Sequence, residues 1–199
     1  VLFRSNYVES HDNLTLADKI LFSVKGATPD RIAKLSRFIS SVAILAQGVP
    51  FLQAGQEFLR SKDGNENSYN AGDETNSLKW SLRAKNIATV DYYKGLFAFR
   101  LAHPSLRMKT MAQVQANLQF LRTSNGVIAY TINAKALGDS ASRIVVIHNS
   151  NSKSVSVKLP NASNWTIWVK GVSAGTKSLG SVRASEISVE AQTTLVLTQ

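Results

Sequence analysis

Asn6-Tyr7-Val8-Glu9-Ser10-His11-Asp12-Asn13 decides how this chain is read. The short apolar-leaning run 7–10 predicts a strand, and it stops at a polar His-Asp-Asn triplet. A Thr- and Leu-rich loop is expected to follow it. A His beside an Asp at the C-terminal end of a strand is where parallel α/β enzymes carry their chemistry. Taken alone, the pair reads more readily as a polar cap that closes a loop.

The residues that follow set this stretch in a strand–helix rhythm. Thr28-Pro29-Asp30 predicts a helix start, with Thr as N-cap, Pro in the first turn and Asp near the positive end of the helix. Ile32, Leu35, Phe38, Ile39, Val42 and Leu45 then recur on one helical face, and Gly48 is expected to end the helix. Val49-Pro50-Phe51-Leu52 reads as a buried parallel strand. The Asn-, Gly-, Ser- and Asp-rich stretch 56–90 is too long for a mere connector and is expected to be a functional loop. Asp91 is expected to cap a second helix over 92–101, closed by His103-Pro104. Strand, helix, strand, loop and helix is the order of parallel βα units.

Residues 107–199 differ in character. Short strands are expected at 114–122, 126–133, 143–149, 153–159, 164–170 and 192–198. Turn residues at Ser124-Asn125-Gly126, Gly138-Asp139, Asn149-Ser150-Asn151 and Pro160-Asn161 separate them. The alternation Val155-Ser156-Val157-Lys158-Leu159 marks a strand with one wet face. An antiparallel sandwich is the natural assembly.

Composition excludes some classes. Of 199 residues 44% are hydrophobic and 18% charged, which fits a folded chain with room for two domains. There is no Cys, so neither a disulfide framework nor a thiolate metal site is available. The longest apolar run, 42–52, is interrupted by Gln47, Gly48 and Pro50 and is too short for a bilayer. The net charge of +10 divides into +3 over residues 1–106 and +7 over 107–199. Arg122, Lys135, Arg143, Lys153, Lys158 and Lys170 are spread singly along expected strands. They lack the clustering of a nucleic-acid surface, so no nucleic-acid partner is expected.

Four motifs together resemble the type I pullulanases, α-1,6-glucan debranching enzymes of the α-amylase family. They are Tyr-Val-Glu-Ser-His-Asp-Asn-Leu-Thr-Leu (7–16), Gly-Val-Pro-Phe-Leu-Gln-Ala-Gly-Gln-Glu-Phe (48–58), Asn-Ser-Tyr-Asn-Ala-Gly-Asp-Glu-Thr-Asn (67–76) and Tyr-Lys-Gly-Leu-Phe-Ala-Phe-Arg-Leu-Ala-His-Pro (93–104). The resemblance covers residues 6 to about 108. It implies α/β plus all-β architecture: the last two βα units of a (β/α)8 barrel over 6–106, then a C-terminal antiparallel β-sandwich over 107–199. It extends the strand that begins at Val49 to 49–54. Residues 1–5 do not continue the pattern and are expected to be a non-native leader.

The resemblance also assigns roles. Asp12 becomes a transition-state-stabilising carboxylate and His11 a donor to hydroxyls of the same sugar. Asp73 and Asn76 match sugar-binding positions, while Asn70 and Arg60 are weaker candidates beside them. Tyr69, Trp80 and Tyr92 could stack on sugars, although core packing is the commoner fate of such side chains. Trp165 and Trp168 are expected on opposite strand faces, one of them in the core and the other free to act as a sugar platform. Glu57 is expected to anchor a strand–loop junction, His103 to end a helix and His148 to lie in a strand. Ala17 stands where many relatives carry an aromatic, and Lys79-Trp80 replaces the family's usual Asp-Trp or Asp-Phe.

Retaining glycosidases use a nucleophilic carboxylate and an acid/base carboxyl. The family motifs that carry them, Asp-Gly-Phe-Arg-Phe-Asp and Tyr-Gly-Glu-Gly-Trp, do not occur in this sequence. This chain alone is therefore expected to be inactive, and residues 6–103 only marginally stable. The resemblance implies an α-glucan partner, no required cofactor with room for a structural calcium ion in the full-length enzyme, a full-length monomer, and an extracellular or cell-surface setting. Two other readings are an isoamylase or glycogen debrancher and a non-catalytic carbohydrate-binding β-sandwich.

Overall fold

The computed structural model describes residues 5–199. The expected leader lies, apart from Ser5, outside the described residues. Strand β1 (Ser5–Asn6) runs parallel to β2 (Val49–Pro50), with Ser5 opposite Val49 and Asn6 opposite Pro50. The strand expected at 7–10 is thus not formed: β1 lies just before it, and β2 covers only the first two residues of the strand expected at 49–54. Pro50 has no N–H to give, and the donation from Phe51 N to Asn6 O at 2.9 Å is the last rung. Beyond it the two chains meet through side chains instead, with Tyr7 edge-on to Phe51 at 6.0 Å.

The expected loop after residue 13 is instead a helix, α1 (Leu16–Ser23). Thr15 caps it, its hydroxyl accepting from Asp18 N at 3.2 Å. Leu16 and Ile20 pack on Leu35 of α2 (Pro29–Leu45). Helix α2 starts as expected, with the Thr28 hydroxyl accepting from Arg31 N at 3.3 Å. It ends at Leu45, three residues before Gly48.

The long segment after β2 is more ordered than expected. It holds a 3-10 turn (Gln56–Phe58), α3 (Asp73–Asn76) and α4 (Ser81–Lys85). Helix α5 (Ile87–Ala102) begins upstream of Asp91, so Asp91 is not its cap. Asp91 is exposed and pairs with Lys94 one turn on. Arg100 of α5 donates to the carbonyls of Ile44 (2.9 Å), Ala46 (2.8 Å) and Gly48 (2.6 Å). A cation thus satisfies the free carbonyls at the negative end of α2.

Residues 107–199 contain one helix that the strand pattern did not predict, α6 (Met111–Asn117), over part of the expected strand 114–122. The reason is a reciprocal capping box between Thr110 and Gln113, which fixes a helical first turn. The strands are β3 (Leu118–Phe120), β4 (Val127–Ile132), β5 (Ile144–Asn149), β6 (Val155–Lys170), β7 (Ser173–Ala174), β8 (Ser181–Val189) and β9 (Thr193–Thr198). They form one antiparallel seven-stranded sheet in the order β3-β4-β5-β9-β6-β7, with β8 on β6. The expected strands 153–159 and 164–170 are one long strand, and β8 was not anticipated. Its only large apolar side chains are Val182, Ile187 and Val189, so the pattern is weak.

Strands β5 and β9 are buried on both faces, and so is β4 apart from the exposed Ile128. Val127, Ala129, Val145, Ile147, Leu195 and Leu197 face Val157, Leu159, Trp165 and Val189 of β6 and β8. Ile132, Ile144, Val146 and Val196 face Tyr92, Tyr93, Leu96 and Phe99 of α5 and Ile44 and Leu45 of α2. A register shift between Ile167 and Val169 turns β6 from the first core toward the second. Trp165 is fully buried in the first. Trp168 packs beside Phe99 and His103 at the second and donates Nε1–H to Thr198 Oγ1 at 2.7 Å. The two indoles do part to opposite sides, and both are packed.

Candidate functional site

The site is built on residues 10–15, between β1 and α1. His11 Nδ1 lies 3.1 Å from Asp12 Oδ1, and both side chains are more than four-fifths exposed. Their backbone is held from behind. Lys62, 1% exposed, donates from Nζ to His11 O at 3.0 Å. Asn13 N donates to Glu66 O at 2.9 Å, and Asn13 itself sits in the left-handed region at φ 67°. The carboxylate of Glu9 accepts from Leu16 N at the start of α1. Asp18 accepts from Ser61 Oγ (2.6 Å) and from Lys62 N (2.9 Å). The loop after β1 and the loop after β2 are thereby one unit, with two polar side chains directed to solvent.

The remaining expected residues divide into two kinds. Asp73, in the first turn of α3, and Asn70 are exposed and carry no side-chain hydrogen bond among the described residues. Asn76 is half-buried and committed: its Nδ2 donates to Ser68 O at 2.6 Å. Arg60 is buried, and its Nη2 donates to Asn76 O. Asn76 and Arg60 therefore fix the shape of the loop that presents Asn70 and Asp73. The Glu57 carboxylate accepts from Gly55 N at 3.1 Å, which keeps it at the junction after β2.

The aromatics separate in the same way. Tyr69 is 80% exposed, and Trp80 lies on Phe58 with ring centroids 5.6 Å apart while keeping an open face. Tyr92 is buried, and burial pushes its hydroxyl up to about 12. It belongs to the core. Ala17 is buried on α1 and helps line a cavity of about 180 Å³ with Leu21, Leu59 and Leu82. His103 ends α5 as expected, and His148 lies in β5, fully enclosed.

Glu9, Asp18, Lys62 and Ser61 were missed. Asp18 left a signal: Thr15-x-x-Asp18 ahead of Ile20 and Leu21 has the form of a helix start. Lys62 left none, since its partner is a backbone carbonyl 51 residues away in sequence. Among the described residues no three His, Asp or Glu side chains gather into a metal-holding group.

Comparison with known proteins follows this geometry. Residues 114–173 match the family model described as the all-beta domain of pullulanase. The pullulanase of Bacillus subtilis (strain 168) is 40% identical over 156 residues, covering 78% of this chain and 22% of the relative. The solved pullulanase from Bacillus acidopullulyticus superposes with a TM-score of 0.93 at 41% identity, over 98% of this chain and 24% of that one. The pullulanase of Paenibacillus barengoltzii, solved in complex with maltohexaose and alpha-cyclodextrin, gives a TM-score of 0.88 at 36% identity, over 98% and 29%. The chain thus spans less than a third of the length of these relatives.

Proposed function

On the premise that this chain belongs to the type I pullulanases as a C-terminal region, we propose that it supplies the sugar-gripping edge of a retaining hydrolase. That hydrolase cleaves α-1,6 branch linkages in pullulan, starch or glycogen-type glucans. β1 and β2 would be the last two strands of its (β/α)8 barrel, and the sheet of residues 107–199 its C-terminal β-sandwich. One observation carries the reading: His11 and Asp12 project freely into solvent from a backbone fixed on its inner side by Lys62, Glu66 and Glu9. Side chains used only to cap a loop would have turned inward. A rigid loop with free polar side chains is preorganised to grip a polar ligand.

The transition state of glycoside transfer is oxocarbenium-like and is approached by ring distortion. Asp12 would accept hydrogen bonds from hydroxyls beside the reacting carbon, and His11 would donate to the same sugar. Contacts that strengthen as the ring flattens raise the rate rather than only the affinity. Asp73 and Asn70 would meet sugar units farther along the glucan, held in place by Arg60 and Asn76. No cofactor takes part in this chemistry. The nucleophile and the acid/base carboxyl come from motifs that this sequence does not contain, so the 199-residue chain is inactive by itself.

The test is substitution of Asp12 by Ala in an enzyme that carries both carboxylate motifs together with this chain. Pullulan hydrolysis should fall by about two orders of magnitude or more, with the thermal midpoint unchanged. Retention of most of the activity overturns the assignment. Comparing pullulan with glycogen and amylose separates a pullulanase from another debranching enzyme.

A further inference from the structure

We propose that Glu9 is the positioning residue of the His11–Asp12 loop, closing it at its base through Leu16 N and tightening or loosening it as its carboxyl loses or gains a proton. The proposal rests on the reading of His11 and Asp12 as sugar-contacting groups.

Glu9 and Leu16 are seven residues apart, and one hydrogen bond between them closes residues 10–15 into a ring. His11 and Asp12 point outward from this ring. Glu9 points inward and is 1% exposed. Leu16 N is one of the free amides at the start of α1, and Thr15 already serves another, that of Asp18. A carboxylate there is favoured both by the hydrogen bond and by the helix dipole. The other restraints on the ring, from Lys62 Nζ and Glu66 O, come from the neighbouring loop and do not involve Glu9.

The second carboxylate oxygen of Glu9 is buried and has no partner among the described residues. Such an oxygen is costly when the group is ionised and much less so when it is a neutral acid. The groups that face Glu9 are Lys19 and Asp18 of α1, Arg60 after the 3-10 turn and Tyr93 of α5. Burial pushes its carboxyl up to about 7, against the bond from Leu16 and the charges of Lys19 and Arg60, while Asp18 adds to the rise. Around neutrality the group is therefore divided between two forms. The carboxylate accepts strongly from Leu16 N, whereas the neutral acid accepts weakly. The ring is firm on the alkaline side and slack on the acid side.

The experiment is a carboxyl-carbon NMR titration of the 199-residue chain from about pH 5 to about pH 9, reading the amides of Leu16 and of residues 10–15 in the same samples. The expected result is a Glu9 midpoint at about 7, followed by the Leu16 amide and by the amides of residues 10–15. Glu9→Gln should abolish that step in the amides of residues 10–15. A Glu9 midpoint in the ordinary carboxylate range overturns the proposal, as does a Leu16 amide or a loop amide that does not follow Glu9. If Glu9→Gln does not fold, the titration of the unaltered chain decides alone. Hydrolysis is not read, so an error in the hydrolase reading leaves this outcome interpretable. Adding maltohexaose to the same samples tests that reading separately, through shifts at His11 and Asp12.

Discussion

His103 and Asp139 form a buried pair, Nδ1 to Oδ1 2.7 Å, that ties the end of α5 to the connection between β4 and β5. The same carboxylate accepts from Ser105 Oγ at 2.6 Å, Ser105 N at 3.2 Å and Ala141 N at 3.0 Å. Burial alone would push Asp139 upward. The bonds from Ser105, Ala141 and His103 outweigh it and hold the carboxyl below its usual range. Its contribution to stability is therefore present above the unfolded carboxyl value near 3.8 and lost as pH falls through the lower folded value. Asp139→Asn should cost about 2–4 kcal/mol at neutral pH, read by urea denaturation, and progressively less as pH falls below the unfolded value near 3.8.

His148 gives an acid dependence at higher pH. It is enclosed in β5 with Nδ1 2.8 Å from Thr194 Oγ1, and that hydroxyl lies 2.7 Å from Ser41 Oγ of α2. Burial lowers the imidazole from 6.5 to about 4, so it is neutral in the fold. The unfolded chain binds the proton first. Stability is complete above about 6.5 and falls as pH drops toward 4. The loss amounts to roughly 3 kcal/mol. Glu9 titrates in the same window with the opposite sign, so the readout is a difference: relative to the unaltered chain, the denaturant midpoint of His148→Gln should rise between about pH 7 and about pH 4.5.

Gly95 sits where α5 crosses β7. A Cβ there would come within 2.0 Å of Ala174 O, and backbone cannot step aside as a flexible side chain can. Gly95→Ala should cost about 2–4 kcal/mol despite the better helix propensity of Ala. A thermal melt checks this, and an unchanged midpoint would contradict the close crossing.

Asp73 and Asn76 lie on the same short helix but should respond differently. Asp73→Ala should leave the melting temperature unchanged and weaken maltohexaose binding. Asn76→Ala removes the donor to Ser68 O and loosens the loop, at a cost of about 1–2 kcal/mol. Calorimetry with each variant separates the two.

The 199-residue chain should release no maltotriose from pullulan, since the two carboxylates that make and break the glycosidic bond have no counterpart in its motifs. Release by the purified chain would sink the division of labour proposed for it.

Much of this was legible in local sequence. Thr28-Pro29-Asp30 set the start of α2, and the alternation in 155–159 set the wet and dry faces of the first half of β6. α1 and α6 were not legible, because capping by Thr15 and Thr110 overrode patterns that looked like loop or strand. The exposed pair His11–Asp12 was found because four motifs surround it. Glu9 and Lys62 were not, since their importance depends on contacts across the fold.

By itself the sequence determined the family, the division into a βα region and a strand-rich region, and the absence of thiol and long-apolar chemistry. Those properties reside in short stretches and in composition. Only the tertiary structure decided that Asn76 and Arg60 face inward while Asp73 faces out. It alone also showed that β5 and β9 are buried on both faces, and that a glutamate and a lysine hold the His11–Asp12 loop from behind. These are outcomes of which surfaces exclude water, and that exclusion is set by segments tens of residues apart.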